Sequence, residues 1–205
     1  KPMLMEKPIE RTFEAAQAIV ARCAIQSVPL GVVFQHRARA ASIALKEAVS
    51  ANRLGDILFA EIRVPWWREQ TYYDEPGRGS YARDGGGVMI NQAIHTLDLA
   101  LLILGTFKSV QAQMRTTAAH SMEAEDWAAA LFEACSGVVG TLTATTAAFP
   151  GEPESIRLYG TLGSAHLAAG ILEITDTSRN TITYGEKSGT GGGSDPMAFT
   201  HAWHQ

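Results

Sequence analysis

Apolar and polar residues in this chain follow two rhythms. The run ILFAEIRV from Ile57 alternates, as a half-buried strand does. Residues 12–24 instead repeat at helical spacing, with Ala16, Ile19, Val20 and Cys23 on one stripe, Thr12 as N-cap and Glu14 at the positive helix start. The apolar run 2–6 predicts a short buried strand, and Pro8 biases Lys7 toward extended backbone. A β-branched run at 30–35 predicts a second strand, and 40–53 a second helix closed by a glycine cap at Gly55. Residues 88–104 are apolar nearly all round, the signature of a buried helix. Downstream, strand-like runs at 110–117, 127–134, 138–146, 155–159, 165–167, 171–175 and 181–184 are punctuated by glycine and proline, which suggests an antiparallel sheet. Between the first alternating strand and the apolar helix lies 65–87, PWWREQTYYDEPGRGSYARDGGG, too long for a plain connection and too aromatic for disorder.

Composition narrows the classes. The 205 residues are 46% hydrophobic and 19% charged, with a net charge of −4, so a folded core is expected and disorder is not. Without a cluster of Lys and Arg, nucleic acid is a poor partner. The two cysteines, Cys23 and Cys135, follow no metal or redox spacing, so a reduced, cytoplasmic setting is expected. The apolar run 88–104 is interrupted by Asn91, Gln92, His95 and Asp98 and does not read as a membrane span. Both ends look cut, as in a fragment of a longer protein.

Those interruptions are where the chemistry enters. At about 100° per residue, Asn91, His95 and Asp98 fall within roughly 60° of one another on one face. A buried polar stripe either satisfies itself, as a core histidine held by Asp98, or lines a cavity. A triple glycine before it and an aromatic, arginine-bearing loop beside it favour the cavity. Histidine suits proton transfer near neutral pH, and a carboxylate one turn away can fix its tautomer. Glycines 85–87 let a backbone or a ligand come close to the helix start. Lys7, within Glu6-Lys7-Pro8 at the carboxyl end of a parallel strand, lies where open α/β sheets bind ligands. His201 and His204 in HAWH invite a metal reading, but no third ligand is visible in the sequence.

LMEKPI before an amphipathic helix, FQHR at a strand end, LGDI after a helix, then WWREQTYYDE, GGGVMINQAIHTLDLALLILG and LYGTLGSAHL together resemble the Gfo/Idh/MocA family. The resemblance covers nearly the whole chain. It implies an α/β fold with an α+β C-terminal domain: a partial Rossmann remnant over 1–36, then over 37–205 a large, mainly antiparallel open sheet with helices on one face. The family's G-x-G-x-x-G fingerprint is absent; GTGGG at 189–193 follows no strand and opens no helix.

The activity implied is oxidoreduction of a sugar, cyclitol or polyol with NAD or NADP. Lys7 resembles the lysine that contacts substrate and nicotinamide, and His95 the acid/base that takes the hydroxyl proton. Asn91 stands where some members have Asp, so it would orient a hydroxyl or His95; Asp98 would support His95. Glu6, Lys7, Pro8, Gln35 and Arg37 are expected at the cofactor. Arg37, Trp67, Arg68, Tyr72, Tyr73, Asn91 and His95 are expected at the substrate. A homo-oligomer, dimer or tetramer, would form through the sheet face. The alternatives are a fragment that binds no cofactor and a metal-dependent isomerase.

Overall fold

A computed structural model describes residues 1–187. The expectations for 189–193, His201 and His204 lie outside the described residues. Strand β1 (Met3–Glu6) pairs in parallel with β2 (Leu30–Val33), and helix α1 (Phe13–Ile25) connects them. Thr12 caps α1 as its residue type suggests, its hydroxyl accepting from the Ala15 N–H. The strand at 2–6 exists but is not buried: Leu4 is 77% exposed, because two strands and one helix give it little cover. The α1 stripe is only partly covered as well, with Val20 exposed and Cys23 buried.

A 3-10 turn (Gln35–Ala38) then leads into α2 (Ala40–Ser50). The expected glycine cap lies elsewhere. Asn52 takes the left-handed conformation just past the helix, while Gly55, also at positive φ, lets the chain pass against Thr161 and Leu162. From here the chain builds one sheet of eight strands: β3 (Ile57–Pro65), β4 (Phe107–Arg115), β5 (Trp127–Ala134), β6 (Val139–Thr145), β7 (Ser155–Gly160), β8 (Gly163–Ala168), β9 (Ile171–Asp176) and β10 (Thr181–Gly185). Their order is β10-β9-β8-β7-β3-β6-β5-β4. Every neighbouring pair is antiparallel except β3 and β6. The alternation in β3 reads out directly: Ala60, Ile62 and Val64 are sealed, while Phe59 and Arg63 point the other way and are exposed.

The two main helices lie on one face of the sheet. Helix α5 (Ile94–Leu104) packs on α2, β3 and β7, and α2 reaches β8, β9 and β10. Leu45 and Ala48 of α2 and Leu99 and Ala100 of α5 meet Ile62, Leu142, Ile156 and Leu158 in one core. Each fully buried Leu or Ile in it contributes about 1.5–3 kcal/mol. No residue of α5 is exposed, which accounts for its being apolar all round. The loop 65–87 is not wholly irregular: it carries two single-turn helices, α3 (Gln70–Tyr73) and α4 (Tyr81–Asp84).

Candidate active site

The polar stripe does not sit on a regular helix. Met89–Ala93 form a π turn that runs into α5, and this widening carries Asn91 and Gln92. One residue from far along the chain holds its start. The buried Glu125 accepts the N–H groups of Gly87 (2.9 Å) and Met89 (3.1 Å) on its carboxylate, and that of Val88 (2.8 Å) on its carbonyl. These are orphan donors of a helix N-terminus, where a carboxylate is also favoured by the dipole. The close approach expected of the glycines is real, and the partner is this chain's own backbone. A Cβ on Gly87 would lie 1.7 Å from the Glu125 carbonyl oxygen.

Across the π turn, Lys7 Nζ donates to the Asn91 carbonyl at 2.7 Å. The Asn91 amide donates to the Gly86 and Gly87 carbonyls at 2.9 and 3.0 Å. Burial pushes the Lys7 ammonium below its ordinary pKa, with Glu6 opposing. An open groove of about 470 Å³ runs beside this point, lined by Pro8, Ile9, Glu10, Arg11, Arg83, Asp84 and Asn91.

His95 lies one turn on, 6% exposed. Its Nε2 faces the Gln35 amide at 3.5 Å, the outer limit of a hydrogen bond. Its ring stacks on His36, with centroids 5.0 Å apart and planes 28° apart, and Phe34 meets it edge-on. Burial, then the charges of Lys7 and Arg39, lower the His95 pKa to about 3, so the ring rests neutral. His36 is driven well below its ordinary value too, first by burial, then by Arg39, His95 and Lys7.

The stripe is divided in use. Asp98 does not serve His95: both of its oxygens are taken by Arg37, whose Nε and Nη2 donate at 2.6 and 2.5 Å. The planar guanidinium matches a carboxylate in a way a single imidazole N–H does not. His95 Nδ1 is buried with no partner among the described residues, as is Gln35 Oε1. Lys7, Gln35, Asn91 and His95 are therefore brought together, and Arg37 with Asp98 borders them.

The aromatic loop divides as well. Tyr73 is spent on packing: its hydroxyl bonds to Thr146 at 2.6 Å, its ring meets His120, and burial raises its pKa to about 12. Trp67 is half-buried, edge-on to Phe149. Arg68 lies over the rings of Trp66 and Tyr72, and the Tyr72 hydroxyl accepts from Gln92. Sequence reasoning missed His36, Glu125, Glu154 and the groove residues Arg11 and Arg83. Only His36, beside Gln35 and Arg37, gave a signal. Among the described residues no three His, Cys, Asp or Glu side chains are placed to hold a metal ion.

The chain has known relatives. The chain is 26% identical over 191 residues to D-apiose dehydrogenase of Rhizobium rhizogenes, a match covering 89% of this chain and 53% of that protein. The WlbA dehydrogenase of Bordetella pertussis, solved with NADH and UDP-GlcNAcA, is 32% identical with a TM-score of 0.78, over 83% of this chain and 49% of WlbA. Levoglucosan dehydrogenase, solved with NADH and levoglucosan, shares the fold at 21% identity and a TM-score of 0.81, over 91% of this chain and 55% of its own. The chain thus spans about half the length of the relatives it matches. The model of the GFO/IDH/MocA C-terminal domain matches residues 43–166, and the chain belongs to that family.

Proposed function

We propose that the protein containing this chain oxidises a hydroxyl of a sugar, sugar nucleotide or polyol, with NAD or NADP as acceptor, and that residues 1–36 are the end of its dinucleotide domain. One observation carries the reading: Lys7 is bonded to the π turn beside an open groove, and that turn runs straight into the helix that carries His95, whose ring lies within reach of the Lys7 charge. The orphaned Gln35 Oε1 is a buried acceptor without a donor, and it suits a nicotinamide amide. Gln35, Lys7 and Arg37 would hold the nicotinamide end, which supplies a hydride acceptor when bound.

This chain's residues then divide the proton work. Neutral His95 takes the hydroxyl proton at Nε2. Lys7, fixed by the Asn91 carbonyl, donates toward the developing oxyanion. Asn91 is engaged with Gly86 and Gly87, so it shapes the pocket and shuttles no proton. Substrate contacts fall to Asn91, His95, Arg37 and the loop residues Trp67 and Arg68. The relatives' ligands supply the panel: UDP-GlcNAcA, D-apiose and levoglucosan, each with NAD and NADP, followed by absorbance of the reduced nicotinamide. His95→Ala should lower kcat at least about 100-fold with a much smaller change in KM. Turnover equal to wild type would remove His95 from the mechanism.

The uncovered sheet face is proposed to pair with a second copy of the chain. Phe59, Leu131 and Val139 lie exposed on neighbouring strands there, and Glu61 sits opposite Arg157, so the face carries both signs of charge that a two-fold contact needs.

A further inference from the structure

Behind His95 lies a carboxylate that the proton chemistry above does not use. Glu154 directly precedes β7 and is 5% exposed. Its Oε1 accepts from Arg39 Nη1 at 2.9 Å and stands 3.8 Å from His36 Nε2; its Oε2 accepts from Trp66 Nε1 at 3.3 Å. One carboxylate thereby ties the 3-10 turn and the start of α2, the exit of β3 and the entry of β7. All three meet at the back of the His36 ring. That ring lies nearly flat on His95, which has no hydrogen bond of its own at Nδ1 among the described residues. A buried imidazole whose polar contact is a long one, 3.5 Å to the Gln35 amide, is oriented mainly by what it packs on, and here that is His36 on one face and the Phe34 edge on another.

With His95 taken as the proton acceptor proposed above, we infer that Glu154 and His36 are positioning residues for it: Glu154, bonded to Arg39 and Trp66, fixes the wall against which the His36 ring rests, and the stacked ring keeps the Nε2 edge of His95 turned toward Gln35 and the Lys7 side of the pocket. The charged and titratable groups around His95 are Lys7 just past β1, His36 from the 3-10 turn, Arg39 at the N-cap of α2, and Glu154 just before β7. Asp98, on its own helix, is committed to Arg37. Glu154 offsets Arg39, a cation that otherwise opposes protonation of both rings.

The test uses the intact protein and compares wild type with Glu154→Gln, His36→Ser, His36→Phe and, as a control on the base itself, His95→Ala. It follows kcat and KM against pH and the His95 ring-nitrogen resonances in protein carrying isotopically labelled histidine. Glu154→Gln and His36→Ser should each lower kcat about tenfold or more, with KM within about twofold, since small displacements of a reacting group cost this much. Both should move the His95 resonances and the pH profile of kcat. His36→Phe keeps a flat ring against His95 and should recover most of the loss. Wild-type kcat, pH profile and resonances in the first two variants overturn the inference, whatever happens to the melting temperature. A His36→Phe enzyme as impaired as His36→Ser overturns it as well. Unchanged turnover in His95→Ala would instead remove the base assignment, a separate failure. Should Glu154→Gln not fold, Trp66→Phe removes one donor from the carboxylate; it should move the His95 resonances the same way by less, and an unmoved spectrum overturns the inference.

Discussion

The stacked imidazoles of His36 and His95 make the molecule's stability depend on pH. In the unfolded chain a histidine takes up its proton near pH 6.5, whereas burial, Lys7 and Arg39 hold folded His95 to about 3. Between those values the unfolded state binds a proton that the folded state refuses. The contribution is therefore intact above about pH 6.5 and is lost as the pH falls toward 3, with a slope approaching about 1.4 kcal/mol per pH unit for His95. His36 is shifted the same way and adds to the slope. Urea unfolding at pH 7, 6 and 5 should show His95→Gln losing less stability on acidification than wild type. Parallel slopes for the two proteins would mean that the imidazole is solvated rather than sealed.

At the scale of elements, the site depends on how α5 begins. The segment 116–126 between β4 and β5 is the brace: Glu125 takes three successive N–H groups at the helix entry, Ala124 N–H bonds to the Gly79 carbonyl, and Ser121 exchanges two bonds with Gln70. Gly87→Ala drives a methyl into the Glu125 carbonyl, and backbone on both sides leaves little room to yield. The expected cost is on the order of 3 kcal/mol, within the range for overpacking and lost capping bonds. Calorimetry measures the loss, and hydrogen exchange should show faster opening of the amides at 87–89; a wild-type melting temperature would show the brace to be slack.

These elements also show what a sequence makes visible. Period-two alternation and glycine or proline punctuation placed every strand from β5 to β10, and Trp127–Ala134 matches to the residue. The π turn was invisible, because a helical period of 100° per residue carries no mark of a local widening. Glu125 and Glu154 were invisible for a different reason: their partners lie 38 and 115 residues away, and no local pattern records such a pairing. Asp98 was legible as a neighbour of His95 but not as the partner of Arg37, since spacing on a helix says which groups are close and not which competitor arrives from another element. His95 drew attention because a polar group is costly in an apolar helix, and Lys7 because it leaves the carboxyl end of a parallel strand.

At the scale of the whole molecule, the asymmetry of the sheet is the outstanding fact. One face holds α2, α5 and the core, while among the described residues no helix packs on the other. Phe59 stacks on Tyr159 with ring centroids 4.4 Å apart, and with Leu131 and Val139 it leaves an apolar centre beside Glu61 and Glu133. A sheet this wide with exposed Phe, Leu and Val is a liability for a lone chain, and a two-fold partner offering the same patch removes it. Charge in the centre of such a contact is costly, because the partner would have to bury it unpaired. Leu131, 59% exposed on β5, is the position to test. On the two-fold pairing proposed above, Leu131→Arg in the intact protein should shift sedimentation from the paired to the single chain while far-ultraviolet dichroism stays unchanged. An unchanged sedimentation coefficient would mean that the open face is not where the copies meet. The helices and the site lie on the opposite side of the sheet, so the lone chain should keep its Lys7 and His95 geometry; any loss of turnover on dissociation would have to travel through the strands that carry Trp66 and Glu154.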